Sequence, residues 1–295
     1  MSLETPWDAG RLGRAKGPYH LLFGHMHEDA EIERTAFLNR HRVFCIASAG
    51  CTAARLCDDH EVIACDINPV QLVYAERRLQ GAAAQLGDAE RAMAFTRTFM
   101  PLVGWRARVV RAFLALSDVT EQIAFWRTHL DTRRFRASFD LLMSPPILRS
   151  VYAPRFLSFL PAKFGAVLRS RLERGFARHA NATNPYARAL LLGEMDDPPP
   201  PKAPNVHFVL SDAASYLESC TAGSIDAFSL SNILDGAEPS YRDRLSRAVR
   251  HAATEEAVVV LRSFGDPPTE LATNCAADDR AILWGTVDVR LAHSF

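Results

Sequence analysis

Three short stretches carry the side chains best suited to chemistry. Ala47-Ser48-Ala49-Gly50-Cys51 follows an apolar run and contains only small residues. Asp66-Ile67-Asn68-Pro69-Val70-Gln71 follows a second apolar run, and Ser211-Asp212-Ala213 follows a third. Small residues let a ligand approach the backbone, and a helix start beyond them offers free N–H groups. A dinucleotide pyrophosphate would want G-x-G-x-x-G, and that spacing is absent. A lone Gly50 suits instead a nucleoside carrying an amino-acid tail. Asp66 is suited to accept both ribose hydroxyls, and Asp212 to accept from an adenine exocyclic amine. Either acid alone could simply cap the helix that follows it. Taken in order, the small turn and the two acids form an S-adenosylmethionine layout, with Ser231 after a fourth apolar run as a further contact.

A sulfonium donor can be attacked at its methyl, giving S-adenosylhomocysteine, or at the γ-carbon of its amino-acid tail, giving methylthioadenosine. Positioning decides between them. A hydroxyl acceptor also needs a base. The candidates are His25, His27, Glu28, Asp29 and Tyr186. The Phe23–Asp29 stretch precedes the first strand, where an arm can cover the donor; the other reading is a helix start capped by Glu28 or Asp29. Tyr186, after Asn184-Pro185, either lines an acceptor pocket or packs between subdomains. Asn232 ends a strand and is expected in the site. Arg262, at the end of the fifth strand, either meets a carboxylate or, as the favoured reading, is a surface arginine.

The elements that must hold these residues alternate strand and helix. Strands are expected at Val43–Ala47, Val62–Cys65, Val206–Leu210, Ile225–Leu230 and Ala257–Leu261, with Ile282–Trp284 and Thr286–Leu291 closing the sheet around Gly285. Helices are expected from Asn68, where Pro69 suits the first turn, over Ala213–Ser219, and over Tyr241–Thr254. Between 85 and 204 the alternation stops. Helical stretches at Val109–Leu116, Val119–Leu130 and Lys163–His179, punctuated by prolines, read as an inserted helical subdomain closed by the Pro-rich Asp197–Pro204. The division expected is 1–84 for a loose N-terminal arm and the first part of a Rossmann domain, 85–204 for the insertion, and 205–295 for the remainder. The fold class expected is α/β, a methyltransferase-like, mostly parallel, doubly wound sheet.

The formal net charge of the 295 residues is zero, which argues against an electrostatic nucleic-acid binder. The charge is unevenly spread. Positions 97–191 hold 16 Lys and Arg against 5 Asp and Glu, which gives the insertion a basic face. Such a face, rich in Phe, suits peripheral contact with an anionic membrane or a merely solvated surface. The six cysteines have no metal-binding spacing and read as reduced structural thiols, and no metal site is expected. Nothing reaches the ~18 uninterrupted apolar residues of a membrane span, and Met1–Lys16 is polar, so a cytoplasmic enzyme, peripheral at most, is expected.

Phe23-Gly24 with Glu28-Asp29, the I-A-S-A-G-C turn at 46–51, and the D-I-N-P-V-Q-L run at 66–72 resemble the BtaA-type S-adenosylmethionine:diacylglycerol 3-amino-3-carboxypropyltransferases of betaine-lipid synthesis. Phe125-Trp126, Asn184-Pro185-Tyr186, Leu191-Leu192-Gly193, Leu210-Ser211-Asp212 and Leu230-Ser231-Asn232-Ile233 extend the resemblance over roughly 23–262. The resemblance implies a methyltransferase-like domain with a helical head, S-adenosylmethionine as donor, a lipid hydroxyl as acceptor and methylthioadenosine as by-product. It implies donor contacts at Phe23, Ala47, Ser48, Ala49, Gly50, Cys51, Asp66, Ile67, Asn68, Gln71, Ser211, Asp212, Ala213 and Ser231, with His25, Glu28, Tyr186 and Asn232 as catalytic candidates. A soluble small-molecule acceptor, methyl transfer, and a non-catalytic binder that keeps the crevice remain the alternatives.

Overall fold

The computed structural model describes residues 4–9, 18–152, 154–195, 205–267 and 273–295; Asp197–Pro204 lies outside them. Six strands form one sheet in the order β3-β2-β1-β4-β5-β6. They are β1 (Arg42–Ile46), β2 (Glu61–Asp66), β3 (Val206–Leu210), β4 (Ile225–Ser229), β5 (Ala253–Ser263) and β6 (Thr286–Leu291). All neighbours are parallel except β5 and β6, and β1 sits between β2 and β4 where the strand order reverses. A ligand crevice belongs at that reversal, outside the strands' carboxyl ends. The chain is therefore α/β with a Rossmann-like, mostly parallel sheet.

Both faces of the sheet are covered, as its near-continuous apolar strands require. Phe44, Ile63, Phe228 and Val259 point to one face, against α12 (Ala213–Ser219) and α13 (Pro239–Ala252). Val43, Cys45, Val62, Ala64 and Val260 point to the other, where α1 (Glu31–Ala36), α2 (Cys51–Leu56) and α3 (Pro69–Leu79) bring Ala36, Leu56 and Ala75. The buried Cys45 and Cys65 thiols are pushed up by that burial and behave as small apolar groups.

Among the described residues, eight α-helices stand between α3 and β3. They are α4 (Asp88–Phe99), α5 (Ala107–Leu114), α6 (Val119–Phe125), α7 (Arg133–Leu142), α8 (Pro145–Val151), α9 (Pro154–Phe159), α10 (Phe164–Arg178) and α11 (Pro185–Leu192). Their core is aromatic. Trp105, Phe113, Trp126, Phe135 and Phe176 are all buried, and α6 runs into a π turn over Trp126–Leu130. The Trp105 indole closes this cluster by donating to the Leu130 carbonyl at 2.9 Å.

Two expectations are corrected. Ile282–Trp284 forms no strand among the described residues; β6 alone pairs with β5. Ile282 takes φ +58 and sits against Gly175 of α10, so closely that a methyl group on Gly175 would collide with it. That seam with the insertion overrides the strand pattern. The arm is also not loose throughout: residues 6–9 form a 3-10 turn, and Trp7 packs edge-on against Phe23 and Phe156.

Candidate active site

The crevice is built by side chains that clamp backbone to backbone. Asp66, at the end of β2, accepts from the Ser48 N–H and the Asn68 N–H, both at 2.9 Å. Asn68 caps α3 by accepting from Val70 and Gln71 at 3.0 and 3.3 Å, and its amide donates to the His20 carbonyl at 2.8 Å. Buried Gln71 donates to the carbonyls of Phe23 and Ser48 and accepts from the N–H groups of Leu22 and Phe23. Glu90 of α4 accepts from Gly24, His25 and Gly87 on the far side of the same arm. Residues 20–26 are thereby held between the β1–α2 turn and the insertion.

This places the expected donor contacts unevenly. A cavity of about 450 Å³ runs from the carboxyl ends of the strands into the helical insertion. Phe23, Ser48, Asp66, Ile67, Asn68, Gln71, Ser211, Asp212, Ala213 and Ser231 line it, as do His25, Glu28 and Asn232. Ala47, Ala49, Gly50 and Cys51 do not. Ala47 and Ala49 are fully buried in the fold. Gly50, at φ +81, turns its bare Cα toward α3, where a methyl group would lie 3.0 Å from Leu79 Cδ1 and 3.2 Å from Ala75 Cβ. The glycine serves helix packing rather than ligand approach. Cys51 Sγ lies 3.4 Å from the Met26 N–H and 3.1 Å from Arg78, inside the same packing.

Asp212 is already engaged. It caps α12 by accepting from the Ser215 N–H at 2.8 Å, and it accepts from the Ser215 and Tyr241 hydroxyls at 2.7 and 2.6 Å. Asp66 accepts only from backbone N–H groups, those of Ser48, Ile67 and Asn68, which leaves part of a carboxylate's roughly four lone-pair sites open. Burial pushes Asp66 up to about 6, with the three backbone N–H groups around it pulling the other way.

The groups with chemistry left over meet at the end of β4. Ser231 adopts φ +52, a strained conformation for a residue other than glycine. Its hydroxyl donates to Glu28 Oε1, while Glu28 Oε2 is buried with no hydrogen-bond partner among the described residues. Burial raises Glu28 to about 7, against the pull of Arg262 and of the Ser231 hydrogen bond. His27 is pushed the other way, down to about 4, by burial and by the charge of Arg97. It is thus neutral near pH 7, and its Nε2 also lacks a partner among the described residues. Asn232 donates to Asp235 at 3.3 Å.

Arg262, expected at the surface, is fully buried. It bonds both oxygens of Glu33, Asp279 at 2.9 Å and the Asp29 carbonyl at 3.0 Å, and lies 3.7 Å from Glu28. An unpaired guanidinium could not remain there. Tyr186 is the other correction. Asn184 caps α11 and turns Tyr186 away from the cavity, into the sheet core beside the Arg280 guanidinium at 5.8 Å. Arg280 in turn holds Asp29 at 2.6 Å, so Asp29 is an ion-pair partner and not a free base.

The remainder of the lining is apolar. Met93 and Met100, Trp105, Phe135 and Phe139, Leu168 and Leu172, and Trp284 come from the insertion and the chain after β5. Trp7 and Arg97 also face the cavity, and both escaped sequence reasoning. A tryptophan in a polar arm was the only local signal for the first, and Arg97 was one arginine among many.

Among the described residues, no helix is long and apolar enough to cross a membrane, and no group of three His, Cys, Asp or Glu is arranged to hold a metal ion. No family model and no curated protein matches the chain. Among solved structures, it is similar to the rRNA methyltransferase aviRa from Streptomyces viridochromogenes, at 13% identity over 82% of this chain and 76% of that one, with a TM-score of 0.31. A superposition that loose carries no argument about chemistry.

Proposed function

We propose that the protein transfers the 3-amino-3-carboxypropyl group of S-adenosylmethionine to a hydroxyl of an apolar, lipid-like acceptor, releasing methylthioadenosine. The observation that carries this reading is one continuous cavity with two unlike ends. Its polar end holds Asp66 and Ser48 at the strand reversal, which suits a nucleoside. Its other end is an apolar chamber lined by Met, Phe, Leu and Trp, which suits acyl chains. The sequence resemblance supports the choice of group transferred.

Glu28 lies between the two ends in chemical terms. An oxygen without a hydrogen-bond partner among the described residues and a value of about 7 suit a general base working near neutral pH. In the step we propose, the acceptor oxygen bonds to the γ-carbon of the donor's amino-acid tail. The carbon–sulfur bond breaks, its electron pair goes to sulfur, and the hydroxyl proton goes to Glu28. The neutral thioether leaves, and the protonated Glu28 returns its proton to water. Asn232, beside Ser231, would hold the acceptor or the tail, and His27 would accept a hydrogen bond without taking charge.

Incubation with S-adenosylmethionine and diacylglycerol, with separation of nucleoside products, tests this directly. Methylthioadenosine formed only when the acceptor is present is the expected result. S-adenosylhomocysteine would turn the reading to methyl transfer. Donor binding with neither product from lipid or soluble acceptors would leave a non-catalytic binder.

A further inference from the structure

The insertion wall that faces the cavity has an outer side that is just as apolar. On α4, Met93, Thr96 and Arg97 face inward with Met100 just beyond. Phe95 and Phe99, on the opposite side of the helix, are 68% and 49% exposed, and Leu102 in the following turn is 75% exposed. The two rings pack edge-to-face at 5.1 Å. α7 packs against both the Met100–Val103 turn and α8, and Leu141 and Ile147 add 65% and 36% exposed apolar side chains there. Clusters of this kind are uncommon on a surface that meets only water.

Exposed arginines accompany them. Arg106 and Arg108 follow Leu102, Arg133 and Arg134 open α7, and Arg149 follows Ile147. None of the five pairs with a carboxylate among the described residues, whereas most other arginines of the insertion do. Arg127 pairs with Glu173, Arg136 with Asp131, Arg169 with Asp140 and Arg178 with Asp278. The local positive excess is thus concentrated in side chains with no internal counter-charge.

We infer that the outer face of α4 and its following turn, together with the adjoining edges of α7 and α8, docks on an anionic lipid bilayer. Phe95, Phe99 and Leu102 would enter the acyl boundary, and the unpaired arginines would meet the headgroups. Aromatic and leucine side chains beside arginine are the pairing that interfacial binding requires. The alternative occupant, a second copy of the chain, would have to bury the same five unpaired cations against themselves. This inference stands on the outer surface and holds whatever the donor is.

The test is co-sedimentation of the full chain with vesicles of phosphatidylcholine mixed with phosphatidylserine, compared with phosphatidylcholine alone. Binding to the mixed vesicles, weakened by salt, is expected. The change Phe95→Ser with Phe99→Ser should reduce it by on the order of tenfold or more per ring, and Arg106→Gln with Arg108→Gln by about fivefold per charge. Leu38→Ser, at a 67% exposed leucine after α1, should leave it unaltered. Circular dichroism and a melting curve confirm that each variant is folded, since every changed side chain is on the surface. No binding to anionic vesicles, or binding that ignores the Phe changes, overturns the inference. So does concentration-dependent self-association that the same Phe changes abolish.

Discussion

Exchanging Glu28 for Gln should make the protein more stable and less active. The amide keeps the length of the side chain and still accepts from Ser231, but it has no charge to bury. In the folded protein Glu28 is raised from 4.5 to about 7. The folded state therefore binds this proton more tightly than the unfolded chain. Stability is undiminished below about 4.5, falls as pH rises, and levels off above about 7. At one pKa unit per 1.36 kcal/mol, ionised Glu28 costs about 3 kcal/mol above that range. Asp66, Asp235 and Asp279, each raised to about 6 by burial, slope the same way at lower pH. His27, lowered to about 4, slopes oppositely between about 4 and 6.5. These other slopes are shared by parent and variant and cancel in their difference. Urea unfolding at about pH 5 and about pH 8 should show the variant's advantage growing by about 2–3 kcal/mol between them. The rate with saturating donor and acceptor should fall by about 10²–10⁴, while donor affinity holds. Parallel stability curves would show that Glu28 does not titrate near pH 7. A collapse of donor affinity with the rate intact would make Glu28 a donor-binding group and remove it as base.

Three further outcomes follow from the same contacts. Arg262→Met should cost about 3–5 kcal/mol in urea unfolding, because Glu33 and Asp279 lose their buried counter-charge; a smaller loss would mean those carboxylates are already protonated. Asp66→Ala should weaken S-adenosylmethionine binding by on the order of tenfold to a hundredfold in calorimetry, and unaltered affinity would remove Asp66 as the ribose partner. Gly50→Ala should destabilise by about 1–3 kcal/mol, since a side chain at φ +81 is strained and presses on Leu79 and Ala75; thermal unfolding at the parental temperature would refute the packing role.

The sheet was legible because its strands obey local rules. Val206–Leu210 and the helix Ala213–Ser219 lie where pattern and capping put them, and Asn68-Pro69 opens α3 as its types require. The failures share one physical origin, partners distant in sequence. Arg262 lies near the end of a valine-rich strand, and nothing near it signals that Glu33, 229 residues away in sequence, will neutralise it. Ile282 has strand-forming chemistry, but its seat against Gly175 matters more than pairing. Glycine after a first strand often serves a ligand, but at Gly50 α3 runs so close that the absent methyl is needed for packing. Tyr186 was ambiguous on its own terms, and only the position of Arg280 decides it.

The buried polar atoms around the cavity mark the site more strongly than any motif. Buried polar atoms are nearly always partnered, because an unpartnered one costs about 1–3 kcal/mol. The arm's backbone is satisfied on two sides by Asn68, Gln71 and Glu90, and Asp212 is shared between a helix cap and Tyr241. Against that thrift, four cavity-lining residues each keep a buried polar atom with no hydrogen-bond partner among the described residues: Trp7 Nε1, His27 Nε2, Arg97 Nε and Glu28 Oε2, the last 3.7 Å from the Arg262 guanidinium. They come from the arm and from α4, whose Glu90 bonds the arm's backbone, and the residues that carry them line one cavity. A raised carboxylate, a neutral imidazole and a guanidinium offer an acceptor, a tautomer able to do either, and a donor. A ligand with both hydrogen-bonding signs, such as an amino acid tail beside a hydroxyl, is chemically matched to that set, and a purely apolar guest is not.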